Sequence, residues 1–165
     1  MGSEKDRQAK ALLDALKFET DGRAFFLEAA KKTSDYFGRI IFSSLADEER
    51  DHIERIKAID RSLRDTQQWP TSEDHAEEGE KSIFETARMQ MDKLVKDRTD
   101  DLQAVKIGMD LEQKAIRFYS GLALKASDQR EKEFYERLVS EEKRHFQVLE
   151  ETWRTLVEYS SSRLD

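Results

Sequence analysis

Leu45-Ala46-Asp47-Glu48-Glu49-Arg50-Asp51-His52 and Leu138-Val139-Ser140-Glu141-Glu142-Lys143-Arg144-His145 follow one pattern, and its reading decides the fold. Steps of three or four residues join Leu45, Glu49 and His52, and likewise Leu138, Glu142 and His145, along one helical face. The rows continue through Phe42, Ile56 and Ile59 in the first case, and through Tyr135, Leu149 and either Trp153 or Leu156 in the second. Ionisable side chains inside an apolar row are costly to bury unless something neutralises them. A Glu and a His three apart lie one helical turn apart on the same side, so both can approach one cation.

Working outward, Ala11 to Lys32 reads as a first helix with Leu12, Leu16, Glu19, Phe26 and Ala30 on one face. Thr33-Ser34-Asp35 supplies turn and cap chemistry before a second helix from Tyr36. The pattern breaks from Arg61 to about Glu80, most clearly at Trp69-Pro70. Ile83, Ala87, Met91 and Leu94 suggest a short extra helix in this connection. Leu102 to Leu124 forms the next long helix, Ala126-Ser127-Asp128 the next turn, and Gln129 to about Tyr159 the last helix.

An offset of 93 residues places Glu19 on Glu112, Phe25 on Phe118, Phe26 on Tyr119, Ser34-Asp35 on Ser127-Asp128, Phe42 on Tyr135, and Glu48-Glu49 on Glu141-Glu142. Across residues 19 to 52 there are 10 identities in 34 without a gap, which reads as an internal duplication of 12–60 in 105–153. The expected structure is a single all-α domain over 1–165, a four-helix bundle whose long crossover carries the short extra helix.

Composition narrows the chemistry. Cysteine is absent, which excludes disulfides, thiolate ligands and iron–sulfur clusters. A net charge of -7 and a pI near 5.2 argue against nucleic acid and anionic membranes as partners. No apolar run approaches membrane-spanning length and the start lacks a signal-peptide core, so a soluble cytoplasmic protein is expected. Charged residues at 39% with 6 Gly and 1 Pro suit long helices with solvated outer faces.

The candidate metal ligands are Glu19, Glu49, His52, Glu112, Glu142 and His145, four carboxylates and two imidazoles on four helices. Four glutamates in one core would repel or take up protons, whereas two divalent ions would cancel their charge. Oxygen and nitrogen donors suit iron, with manganese or zinc as alternatives. Glu48 and Glu141 also repeat; the steps from Leu45 and Leu138 favour Glu49 and Glu142 as ligands and put the other pair near the bundle edge. Tyr119 and Tyr135 read first as packing, with either hydroxyl also a candidate to reach a ligand or an oxygen intermediate, and Tyr119 joins Glu19, Glu49, Glu112 and Glu142 as a candidate catalytic residue. His75 in the polar connection reads as solvent-facing.

On Glu19, Glu49-x-x-His52, Glu112 and Glu142-x-x-His145, the chain resembles the rubrerythrin branch of the ferritin-like superfamily from residue 12 to 156. The resemblance implies a di-iron centre bridged and capped by these residues. It also implies a peroxidase or ferroxidase activity that reduces hydrogen peroxide or dioxygen in oxidative-stress defence, and a homodimer with or without exchanged helices. Two departures stand out. Without cysteine there is no rubredoxin domain, so electrons would come from a separate protein. The family's further glutamate three residues after the third-helix ligand is replaced by Ala115, with Gly22 in the matching first-half position. Six ligands then remain rather than seven, which weakens the expectation of peroxidase-type iron movement.

Three rival readings predict different behaviour. An iron-handling protein would bind and release iron with little turnover. A substrate oxygenase would need an apolar tunnel beside the metals, with Gly22, Gly108 and Ala115 as the small residues that could leave room. A purely structural ionic network would be indifferent to chelators.

Overall fold

The computed structural model describes residues 3–71 and 99–161. These form four α-helices and no strand: α1 (Glu4–Lys32), α2 (Tyr36–Thr66), α3 (Thr99–Lys125) and α4 (Gln129–Ser161). Helices of 27 to 33 residues are about 40–50 Å long. Among the described residues, none is long and apolar enough to cross a membrane.

Local chemistry sets the helix ends. Ser3 and Asp6 make a reciprocal capping box, so α1 begins seven residues before the Ala11 start expected from periodicity. The added turns are anchored by Arg7, which donates to both oxygens of the fully buried Glu131 on α4 at 2.8 and 2.9 Å. At the first tight turn, the Asp35 carboxylate accepts the Gly38 amide at 3.0 Å and caps α2. The equivalent Asp128 accepts the Arg130 amide at 2.7 Å and opens α4. Helix α2 runs past the expected break at Arg61 to Thr66, supported by the Asp60–Arg64 pair, and ends at Gln67 in the left-handed conformation (φ 58°). Trp69 then turns inward and packs against Phe134 and Tyr135.

Two apolar clusters fill the bundle, one toward each end. The first gathers Phe26, Phe37, Ile41, Phe42, Leu45, Val105, Leu149 and Leu156. The second gathers Leu12, Ala15, Ile56, Ile59, Trp69, Ala115, Tyr119, Tyr135 and Leu138. Every helix passes from one cluster to the other, with its Glu or His between them. Leu156 is buried, while Trp153 is 39% exposed, which settles the inward position at the end of α4.

The order of these contacts gives the helix directions. α1 and α4 run from the second cluster to the first, whereas α2 and α3 run the other way. The tight turns therefore join two antiparallel hairpins, α1–α2 and α3–α4. The end of α2 and the start of α3 therefore lie at opposite ends of the bundle. The proposed short helix at Ile83 to Leu94, and His75, lie outside the described residues.

Leu138 is fully buried one turn before Glu142. Leu138→Ala should destabilise the metal-free protein by about 2–5 kcal/mol in chemical denaturation, through lost apolar contact and the cavity left behind. A loss below about 1 kcal/mol would mean that the site collapses around the smaller side chain.

Candidate metal centre

Between the two apolar clusters all four helices contribute to one polar cluster. α1 supplies Glu19, α2 supplies Glu49 and His52, α3 supplies Glu112, and α4 supplies Glu142 and His145, each no more than 3% exposed. The imidazole rings stack with centroids 5.4 Å apart and planes 11° from parallel.

Both histidines turn Nδ1 into the cluster. His52 Nδ1 lies 3.0 Å from Glu19 Oε2, 3.0 Å from Glu142 Oε1 and 3.3 Å from Glu49 Oε2. His145 Nδ1 lies 3.1 Å from Glu142 Oε2, 3.5 Å from Glu49 Oε1 and 3.6 Å from Glu112 Oε1. Glu49 and Glu142 thus each present one oxygen to each histidine, as a bridging carboxylate must. Glu19 faces the His52 side and Glu112 the His145 side.

Two overlapping donor sets result, Glu19–Glu49–His52–Glu142 and Glu49–Glu112–Glu142–His145, with the candidate donor atoms of each within 4.8 Å of one another. Several of these atoms have no hydrogen-bond partner although fully buried: Glu112 Oε1, both oxygens of Glu142, and His145 Nδ1. Orphaned buried polar atoms are rare and costly. Hard oxygen and imidazole donors fit iron, manganese or zinc, so the residues present fit a pair of divalent ions.

Electrostatics point the same way. Burial, with the nearby charges of Glu49 and Glu142, pushes Glu19 well above the usual carboxylate range. Burial and the charges of Glu142 and Glu49 do the same to Glu112, against the opposing pull of the nearby His145 imidazole. Burial also pushes Glu49 up, but the neighbouring Glu19 carboxyl and both imidazoles outweigh it and hold Glu49 at about 2. Glu142 is likewise lowered, its burial overcome by His145 and His52. Burial pulls both imidazoles down, yet the surrounding carboxylates win and raise them well above their ordinary value. The shifts run in opposite senses across the cluster: Glu19, Glu112 and both imidazoles hold protons more tightly than usual, while Glu49 and Glu142 hold theirs less tightly.

Glu48 and Glu141 lie half-buried at the edge, at 26% and 15% side-chain exposure. Their role was not readable from periodicity. Each faces the outward nitrogen of the histidine on the opposite hairpin, with His145 Nε2 at 2.6 Å from Glu48 and His52 Nε2 at 3.1 Å from Glu141. A carboxylate behind a ligating imidazole fixes its tautomer and strengthens it as a donor. Their repetition at the 93-residue offset was the available signal.

Tyr119 is fully buried and its hydroxyl donates to Glu19 Oε1. Burial and the charges of Glu19 and Glu142 raise its pKa well above the usual phenol value, so the proton stays on the hydroxyl. Tyr135 does not reach the cluster. It stacks on Tyr119 at 6.2 Å and meets Trp69 edge-on. In the other half, Phe26 and Phe42 stack at 6.4 Å.

A small cavity of about 10 Å³ meets the cluster between α1 and α3, lined by Phe18, Gly22, Phe26, Leu111, Ala115 and the four central glutamates. That is room for about one water-sized molecule.

A family model described as Rubrerythrin matches residues 10–152. Neither a curated protein nor a solved structure matches the chain. The matched span takes in most of the chain and all six residues of the central cluster, and with the four-helix architecture it shows that the chain belongs to the rubrerythrin family.

Proposed function

We propose that the central cluster holds two iron ions and that the protein is a di-iron oxidoreductase that reduces hydrogen peroxide or dioxygen, with electrons from a separate donor protein. The observation that carries this reading is the placement of Glu49 and Glu142, each with one oxygen toward each histidine. When bound, a pair of redox-active ions supplies two electrons at once to an O–O bond.

The chain's own residues do the rest. Glu49 and Glu142 would hold both ions, Glu19 and His52 one of them, and Glu112 and His145 the other. Tyr119 fixes the orientation of Glu19 through its hydroxyl and keeps a proton beside that carboxylate. Apolar walls from Phe26, Phe42, Leu45 and Leu138 exclude bulk water from the cluster. The cavity at Gly22 and Ala115 has room for about one water-sized molecule and is far too small for a hydrocarbon chain, which disfavours substrate oxygenation. A cytoplasmic homodimer remains part of this proposal.

Metal uptake should release protons, because ligands bind ions in their deprotonated forms and Glu19, Glu112 and both histidines hold their protons more tightly than usual. Calorimetry in buffers of different ionisation enthalpy measures this release, and a value near zero would contradict the protonation scheme.

The same shifts give a stability profile. Groups with raised folded pKa values stabilise the metal-free protein fully below their unfolded values, about 4.5 for Glu and 6.5 for His, and lose this as pH rises through the folded values. The lowered Glu49 and Glu142 act oppositely, and their contribution is lost as pH falls below about 4.5. With chelator present, Tm should fall as pH rises above the unfolded histidine value of about 6.5, whereas added Fe(II) should raise Tm most on the alkaline side.

The function itself is tested by anaerobic Fe(II) loading followed by stoichiometric peroxide. About two iron ions per chain, and rapid growth of the near-ultraviolet absorption of oxidised iron, are expected, with both lost in Glu49→Ala and Glu142→Ala. Bound iron that is inert to peroxide and dioxygen would favour iron handling instead, and no bound iron would overturn the reading.

A further inference from the structure

The two halves of the cluster are alike in their ligands and unlike in what stands behind them. Behind His145, Glu48 accepts at 2.6 Å, and among the described residues His145 is the only basic side chain paired with Glu48. Behind His52, Glu141 lies at 3.1 Å and is already engaged by Arg55, which donates to both of its oxygens. Arg137 and Arg144 stand 3.9 and 4.0 Å from the same carboxylate. None of these three arginines has a counterpart at the 93-residue offset. Val148 replaces Arg55, while Ser44 and Asp51 stand where Arg137 and Arg144 would fall.

The terminal glutamates differ in the same sense. Glu19, on the His52 side, gives part of its electron density to the Tyr119 hydroxyl, and the position matching Tyr119 in the first half is Phe26. Glu112, on the His145 side, has an oxygen with no hydrogen-bond partner.

Both differences act on donor strength. A carboxylate accepting from Nε2–H pushes electron density through the ring to Nδ1, and does so more when its charge is not shared with a guanidinium. A carboxylate without a guanidinium partner also attracts a nearby cation, whereas the Glu141–Arg55 pair largely cancels. We propose that the two metal positions are unequal by construction, the His145 position taking the first ion and holding it more tightly, with Glu48 as the positioning residue that sets this order. The His52 position is then the weaker and more Lewis-acidic one. The proposal rests on the two-ion reading of the cluster.

Stepwise addition of Co(II) to the metal-free protein, followed by calorimetry and visible absorption, tests it without reference to activity. Two ions should bind in two steps. Since shared carboxylates alone could separate the steps, the assignment comes from the variants. Glu48→Gln should weaken the first step about 10- to 100-fold, while Glu141→Gln leaves that step unchanged. His145→Gln should abolish the first step, and His52→Gln should retain it. A merely structural role for Glu48 would weaken both steps together, and helical circular dichroism of each variant checks folding independently. Equal effects of Glu48→Gln and Glu141→Gln, or a first step lost in His52→Gln, would overturn the proposal and leave the two-ion reading intact. Absence of any Co(II) uptake would overturn both.

Discussion

Burial of four carboxylates and two imidazoles at the centre of an apolar bundle is the constraint on which the rest of this structure depends. An uncompensated charge there would cost several kcal/mol. The cluster meets this by pairing acid with base: the imidazoles and the glutamates face one another, and Glu19, Glu112 and both histidines hold protons more tightly than usual.

Placement of that cluster follows from packing. Each helix carries its polar residue between two apolar stretches, so the ends of the bundle supply the burial energy and the middle supplies the chemistry. The aromatic pairs Phe26–Phe42 and Tyr119–Tyr135 brace the cluster from opposite ends at nearly equal separations. The change from phenylalanine to tyrosine puts one hydroxyl in contact with one glutamate. Symmetry of the fold is thereby kept, and symmetry of the site is not.

Much of this is legible in the sequence, for identifiable reasons. Glu49, His52, Glu142 and His145 stand out because buried helical faces rarely carry charge, and Glu19 and Glu112 because the offset pairs them. Periodicity reports which way a side chain faces and nothing about its partner. Glu48 and Glu141 therefore read as edge residues, although they back the histidines. The early start of α1 escapes a periodicity reading because it depends on a capping box and on a long-range Arg7–Glu131 pair. Trp69, beside the proline that marks the end of the pattern, reads as a break yet packs into the core, since only the fold brings Phe134 and Tyr135 to it.

The crosswise pairing of Glu48 with His145 and of Glu141 with His52 has a consequence for how the chain reaches its native state. Each hairpin has short-range contacts and can form early, as local helical structure does. Neither hairpin alone contains a backed histidine or a full donor set. Assembly of either donor set therefore requires the two hairpins to dock face to face, at a loop-closure cost that grows only slowly with the length of the connection between them. Desolvation of the polar residues is deferred to that moment, when their partners arrive together. The nascent chain is thus spared a stage at which one hairpin has buried its charges alone.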